Sequence, residues 1–285
     1  MKKGDNSAES TYRATSADPA LAGYARRLMT ADIQAGAGFR QQVWPTGFFY
    51  IGVILEGRIT ARWEGAELTL TGGEAHFSGQ IGRQTARLET EGPLRHILLE
   101  LNPDAPYRLF GHRGARSVGR VLDIGSAATG LPEEARRQVL AAASEDSTGR
   151  AAEKLQAAMK ALIEKAKPAP EPFRSACDLW EEEGGRLPVS MVADRLGTTQ
   201  RTMERQFADL LGLTPKTYAR IVQMANVAGA LQRGEPPVLA ALATEMGFAD
   251  QAHFTRVMRA FFSQSPRDFL GAEDDLLASF VARSR

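Results

Sequence analysis

This chain of 285 residues has a single cysteine, a small net charge and no long apolar run. Cys177 is its one cysteine, which excludes an intrachain disulfide and a zinc site built from several cysteines. The formal net charge is +1, and residues 186–270 carry ten Lys or Arg against seven Asp or Glu. A broad basic surface is therefore excluded, so a few placed arginines would have to carry any contact with nucleic acid.

Membrane and export signals are also absent from the sequence. No run of 18 apolar residues occurs, so a transmembrane helix is not expected. The first ten residues lack an apolar segment after their lysines and do not have the pattern of a secretory signal. With 43% apolar and 24% charged residues, the composition is typical of a soluble globular protein, and we expect a cytoplasmic one.

The N-terminal half has the residue pattern that is typical of β-strands. Residues 1–20 are polar and without pattern, so a flexible tail is expected there. Short apolar runs separated by glycine turns predict a β-core over about 43–101, within a sensor or dimerisation domain that spans 21–166. Short strands of this kind favour a small antiparallel sandwich or barrel.

Helical patterns follow from about 132 to 166. One helix face carries an apolar stripe, formed by Leu155, Met159, Leu162 and Ile163. Either the β-domain or the same helix of a second subunit must cover this stripe, and we predict a dimerisation surface. Residues 167–172 contain three prolines and predict a semi-rigid linker. Residues 173–271 are expected to be all-helical, and 272–285 form a C-terminal tail.

The helical region contains the same sequence motif in two copies. An apolar helix with a small residue, Ala193, is followed four residues later by Gly197 and then by a polar helix. The pattern recurs 50 residues later with Ala243 and Gly247. A small residue permits two helices to cross closely, and glycine tolerates the positive φ of the turn. Two copies at a fixed offset predict a double helix-turn-helix domain, with Thr199 as an N-cap of the first recognition helix.

The motifs resemble those of a known family. The segment Gly247-Phe-Ala-Asp-Gln-Ala-His-Phe-Thr-Arg256, followed by Phe261-Phe-Ser-Gln-Ser-Pro-Arg-Asp-Phe269, is similar to the signature of the AraC/XylS family of transcriptional regulators. Upstream, Arg201-Thr-Met-Glu-Arg-Gln-Phe207 and Gly212-Leu-Thr-Pro215 resemble its first half. The resemblance implies a homodimeric, sequence-specific regulator that binds double-stranded promoter DNA in successive major grooves, with RNA polymerase as a further partner.

Carried over position by position, the resemblance assigns both recognition helices. The predicted DNA-binding residues are Thr199, Arg201, Glu204, Arg205, Asp250, Gln251, Ala252, His253 and Arg256. Arginine can bond guanine with two hydrogen bonds, glutamine can do so with adenine, and glutamate can accept from cytosine. The chain departs from the family in three places. Ala249 occupies the position of the usual serine that caps the second recognition helix, so we expect Asp250 to cap it instead. Gln223 occupies the position of an arginine, and Ser263 that of a glycine at a helix end.

For the N-terminal domain the resemblance implies a cupin-like barrel that holds a small effector. Trp44, Phe49 and Trp63 are candidates to line an apolar cavity, unless they simply fill the β-core, and Arg83 is a candidate contact for an anionic effector. No cofactor, metal or catalytic residue is predicted, because His76, His96 and His112 are scattered along the sequence and no His-x-His pair occurs.

Two alternatives stay open. In the first, the chain is a regulator without a small effector, and its N-terminal domain serves only for dimerisation or for binding a protein partner. In the second, the chain is a metal-cupin enzyme fused to a DNA-binding domain. The missing His-x-His pattern argues against the enzyme.

Overall fold

Antiparallel strands build the N-terminal part of the chain. The computed structural model describes residues 11–34, 39–63, 66–81, 86–90, 92–231 and 238–270. Within these residues the strands are β1 (Thr11–Ser16), β2 (Ala25–Ile33), β3 (Phe39–Val43), β4 (Phe49–Trp63), β5 (Ala66–Thr71), β6 (Ala75–Ser78), β7 (Ala86–Thr90), β8 (Leu94–Leu101) and β9 (Val121–Asp123). The main order is β1-β2-β8-β4-β6-β9, with each pair antiparallel.

Strand β4 belongs to two sheet regions. Its first half lies between β8 and β6, and its second half pairs with β5 and β7, while β7 also pairs with β3. Opposite β8 the register shifts between Ile54 and Glu56. A bulge of this kind bends a strand and increases its twist. The bend lets the two regions face each other across a shared interior.

Side chains alternate between the two faces of β4, as they must in a strand. Phe49, Ile51 and Val53 belong to the core beneath the helices. Tyr50 and Ile54 belong to separate clusters on the opposite face. Position along the strand therefore decides which side chains can reach the interior between the two sheet regions.

Helices cover one face of this sheet. They are α1 (Ala105–Phe110), α2 (Glu133–Ala143) and α3 (Thr148–Lys160), with a 3-10 turn at Ile163–Lys165. The stripe on α3 is buried within the single chain: Leu155 and Met159 are fully covered and Leu162 is 9% exposed. The prediction of a dimerisation surface is therefore wrong for these three residues, because they have no surface to offer a second subunit. Ile163 is half-buried and packs on the same core.

The predicted flexible tail is wrong for residues 11–20. Strand β1 pairs along its length with β2, and Asp18 caps a 3-10 turn at Pro19–Leu21. The β-structure therefore begins well before residue 43. The sequence hides β2 because it carries Arg27 in a buried position, where Glu100 of β8 pairs with it at 2.7 Å. The expected tail at 1–10 and the one at 272–285 lie outside the described residues.

The C-terminal part is helical, as predicted. Its helices are α4 (Phe173–Glu182), α5 (Val189–Arg195), α6 (Gln200–Leu210), α7 (Pro215–Leu231), α8 (Leu239–Glu245), α9 (Gln251–Phe262) and α10 (Pro266–Leu270). The predicted fold class, a β-rich N-terminal part followed by a double helix-turn-helix, is confirmed.

The two helix-turn-helix units have separate cores. Phe207 of α6 and Trp180 of α4 belong to the large core that continues into the N-terminal part. Phe254 and Met258 of α9 belong to a second core, shared with the C-terminal half of α7. Trp44, which precedes β4, also belongs to this second core. The N-terminal part therefore touches each unit differently.

The first unit is joined closely to the N-terminal part. A Cβ on Gly114 would lie 2.5 Å from the carbonyl oxygen of Leu210, so only glycine permits this approach to the end of α6. Arg113 forms an ion pair with Asp209 next to it. A second ion pair joins Arg174 to the buried Asp104 at 3.1 Å. Steric fit and charge together hold the first unit against the sheet domain, at the end of α6 and at the start of α4.

Candidate nucleic-acid interface and a cavity in the N-terminal sheet

The first helix-turn-helix unit has the predicted turn. Gly197 has a φ of +61°, which favours glycine, and Ala193 is buried at the helix crossing. The Thr198 N–H donates to the Ala193 carbonyl at 3.0 Å. The Thr199 hydroxyl accepts from the Thr202 N–H at 3.1 Å, so Thr199 is the N-cap of α6, as expected.

The second unit repeats this turn. Gly247 has a φ of +78°, and the Phe248 N–H donates to the carbonyl of the buried Ala243 at 2.9 Å. Asp250 caps α9, because its carboxylate accepts from the His253 N–H at 2.6 Å. The expectation that Asp250 replaces the lost serine hydroxyl is thus confirmed. A carboxylate also suits the positive end of the helix dipole.

The predicted reading residues of α6 share one open face. Arg201, Glu204 and Arg205 are all exposed and lie three and four positions apart, which places them side by side on the helix. No ion pair within the described residues engages the two arginines. Their guanidinium groups are therefore available to an outside partner.

The predicted residues of α9 are less uniform. Gln251, Ala252 and Arg256 are exposed, whereas His253 is half-buried. The His253 ring lies edge-on to Phe248, with 5.6 Å between ring centroids. His253 is therefore partly a packing residue, and Gln251 and Arg256 are the freer polar groups of this helix.

A cleft of about 610 Å³ lies between the two units. Gln200 and Glu204 of α6 and His253 of α9 line it together, so the N-terminal halves of both recognition helices face one space. This juxtaposition brings together residues about 50 positions apart in the sequence. It is the arrangement that a shared ligand surface requires.

Three basic residues of this cleft were missed by sequence reasoning. They are Arg186, Lys216 and Arg220. Lys216 is exposed at the start of α7, while Arg220 lies 5.7 Å above the Phe248 ring and donates to Gln223 at 2.5 Å. Burial lowers the pKa of Arg220, which stays charged near neutral pH. The cleft is therefore more basic than the net charge of the chain suggests, and only the fold reveals this.

A cavity of about 120 Å³ lies between the two sheet regions of the N-terminal part. Trp44 and Trp63 line it, as predicted for an effector site. Phe49 does not, because it lies on the opposite face of β4 and stacks on Phe77 with 5.6 Å between centroids. The prediction of Phe49 as a lining residue is wrong because of this strand parity. Arg83 lies outside the described residues.

Two histidines meet in the cavity wall. The Nε2 atoms of His76 on β6 and His96 on β8 are 3.1 Å apart, across β4. A Cβ on Gly52, between them, would lie 2.2 Å from His76 Nε2, so glycine makes room for the pair. Burial lowers the pKa of His76 to about 4, and burial together with the neighbouring His76 lowers the pKa of His96 well below its usual value. Two histidines that are 20 positions apart in the sequence are thus neighbours in the fold, as a pair and not as a triad.

A third histidine lies elsewhere. His112 sits on the other face of the sheet, against Phe77, with its Nε2 2.9 Å from the Ser117 hydroxyl. No group of three or more His, Cys, Asp or Glu side chains among the described residues is placed to hold a metal ion. The helices of the same residues include none with the length and hydropathy of a membrane span.

Comparisons with known proteins agree with the C-terminal geometry. Residues 192–272 match a family described as a helix-turn-helix domain. The chain is 34% identical over 86 residues to the HTH-type transcriptional activator RhaS of Escherichia coli O1:K1 / APEC. This match covers 30% of the chain and 31% of the relative, so the chain spans about a third of the length of that relative.

Solved structures resemble the chain over a longer span. Apo ToxT from Vibrio cholerae strain SCE256 gives a TM-score of 0.51 at 11% identity, covering 90% of this chain and 99% of the other. Unsaturated-fatty-acid-bound ToxT from the same strain gives 0.50 at 12% identity, covering 96% and 100%. At such low identity these likenesses show a common fold alone.

Proposed function

We propose that the chain is a one-component transcriptional regulator whose C-terminal domain is of the AraC/XylS type. Its motifs support this, as does the match of residues 192–272 to a helix-turn-helix family. The chain binds double-stranded promoter DNA with both units, and the N-terminal domain controls that binding. The observation that carries this proposal is the shared cleft, which Gln200 and Glu204 of α6 and His253 of α9 line together.

We propose that α6 supplies most of the base discrimination. Arg201, Glu204 and Arg205 form one exposed face, and α6 is fixed firmly to the N-terminal core. A bidentate contact of arginine with guanine discriminates by about 1–3 kcal/mol. A rigid helix loses little conformational entropy on binding, which favours this unit further.

The second unit is proposed to be the adjustable contact. Gln251 and Arg256 are its free polar groups, and Asp250 and Ala252 frame the start of the helix. Lys216 and Arg186, at the rim of the cleft, are proposed phosphate contacts that position the domain without reading sequence.

Effector control is supported by the position of Trp44. Its ring lines the cavity and also packs edge-on against Phe262 of α9, with 5.2 Å between centroids. One side chain thus contacts both the proposed effector site and the core of the second unit. A ligand that binds one placement of Trp44 more tightly would favour the matching placement of α9, by at most the difference in its binding free energy between the two placements.

The remaining partners follow from this function. We propose that the protein acts in the cytoplasm and contacts RNA polymerase at the promoter. We also propose that it acts as a homodimer through a surface other than the buried stripe of α3. The proposed function requires no catalytic step or cofactor.

Base preference tests the proposal. Binding sites are first selected from random duplexes with the full chain. Arg201→Ala and Gln251→Ala are then expected each to relax preference at one, different, site position, whereas Lys216→Ala weakens binding to every sequence alike. Unchanged preference in both reading variants would refute the assignment of the helices, and failure to select any site would refute the function.

A further inference from the structure

We propose that the cavity between the two sheet regions binds an uncharged, single-ring-sized, mainly apolar molecule, which hydrogen-bonds to the His76–His96 pair. This inference rests on the proposed effector control of DNA binding and names the chemical class of the effector.

The size of the cavity sets the first limit. Its volume is about 120 Å³. An engineered protein cavity of about 150 Å³ accommodates benzene. The space therefore suits a ligand of about one ring and is too small for an extended chain.

The walls set the second limit. Apolar side chains from both sheet regions surround the space, among them Trp44, Phe48, Ile59, Trp63, Leu88 and Leu98. Walls of this kind stabilise a ligand in proportion to the apolar area that leaves water. Aromatic walls on two sides also favour a flat ring, which can stack or meet them edge-on.

Charge sets the third limit. Among the described lining residues, Arg120 alone carries a permanent charge, and its side chain is exposed. The buried Arg27 nearby is already paired with Glu100 through two bonds, of 3.0 and 2.7 Å. The two cavity histidines are neutral near pH 7 because burial lowers the pKa of both. Among the described residues, the exposed Arg120 is therefore the one cation at the wall, so transfer of a carboxylate from water to the buried part of the cavity is costly.

The histidine pair supplies the polar anchor. His76 Nδ1 lies 3.0 Å from the Ser78 hydroxyl, and His76 Nε2 lies 3.1 Å from His96 Nε2. These three groups thus form a hydrogen-bonded chain in a mainly apolar wall. Because each neutral imidazole has two tautomers, the chain can run in either direction and can present a donor or an acceptor to a ligand. A hydroxyl or carbonyl group on the ligand meets this requirement.

Binding of three matched probes to the full chain tests the inference: phenol, toluene and benzoate at pH 7.5. Tryptophan fluorescence reports occupancy, since Trp44 and Trp63 line the cavity. We expect saturable binding of phenol, weaker binding of toluene and none of benzoate at the same concentrations. His96→Leu is expected to reduce the preference for phenol over toluene about five- to tenfold, the value of one hydrogen bond.

His112→Leu is the matched control, because His112 is buried on the opposite face of the same sheet. It is expected to keep the preference for phenol even if it lowers the melting temperature. Should His96→Leu fail to fold, Ser78→Ala tests the same hydrogen-bonded chain. Tighter binding of benzoate than of phenol, no binding of phenol or toluene, or an unchanged preference in the His96 and Ser78 variants would overturn the inference. Binding of selected DNA by the ligand-free chain, measured in parallel, shows whether the proposed function still stands.

Discussion

Replacing Trp44 by leucine is expected to loosen the second helix-turn-helix unit while leaving the first in place. The Trp44 side chain is 5% exposed and stands at the boundary between the sheet cavity and the core of α9 and α10. Leucine keeps this position apolar but removes both ring contacts. The substitution therefore tests whether the sheet domain supports α9 through this one side chain.

The expected loss follows from the contacts. Trp44 meets Phe262 at 5.2 Å between centroids and Phe269 at 6.2 Å. Each aromatic pair contributes about 0.5–1.5 kcal/mol beyond its buried area. The indole N–H donates to the Phe262 carbonyl at 3.4 Å, a long bond that adds about 0.5 kcal/mol. Together these predict a loss of about 2–3 kcal/mol in the stability of the second unit.

Hydrogen exchange followed along the chain measures this loss locally. Amides in α9 that exchange through opening of the second unit are expected to exchange about 30- to 150-fold faster in the variant. Amides in α6 should keep their rates, because their core is separate. Trp180→Leu is the matched control: Trp180 packs on Phe207 of α6 at 5.6 Å, so this change should loosen α6 and spare α9. Equal acceleration in both helices of the Trp44 variant, or in neither, would show that Trp44 does not support α9 selectively.

Two further predictions concern stability. Ser263 ends α9 with a φ of +58°, a backbone conformation that is strained for any residue with a side chain. Ser263→Gly is therefore expected to raise the free energy of unfolding by about 1 kcal/mol, measured by thermal or urea unfolding. An unchanged or lower free energy of unfolding would contradict this. Lowering the pH from about 6.5 to 4 is expected to destabilise the sheet domain. In this range His76 and His96 bind protons in the unfolded chain, whereas burial keeps both of them neutral in the folded chain. Stability is fully present above the unfolded pKa near 6.5 and falls below it by up to about 1.4 kcal/mol per pH unit for each histidine. Urea unfolding of wild type and of a variant with both residues changed to glutamine checks this: equal pH slopes would contradict it.

Local sequence signals predicted the C-terminal domain well. Its turns depend on residues close together in the chain, such as Ala193 with Gly197 and Asp250 with α9. Glycine at positive φ and a side-chain cap leave the same signature wherever they occur. Helix periodicity placed Arg201, Glu204 and Arg205 on one face of α6 before the fold was known, and the family resemblance proposed that this face reads DNA.

The features that the sequence did not predict depend on contacts between elements that are distant in the chain. The His76–His96 pair exists because β4 lies between β6 and β8, an order that no local pattern reveals. Phe49 and Tyr50 look alike as neighbours in an apolar run, yet the register of β4 sends them to opposite faces. Leu155 and Met159 lie on one face of α3 as predicted, whereas Leu162 and Ile163 lie beyond the end of this helix, and only tertiary packing shows that the same chain covers them.

Hydroxyl-radical footprinting of the full chain on a selected site measures whether both units bind one duplex. Two protected patches on one face, about one helical turn or roughly 10 base pairs apart, are predicted from recognition helices in successive major grooves. Arg201→Ala should weaken one patch and Gln251→Ala the other. A single patch that survives either change, or protection without a preferred site, would contradict the account.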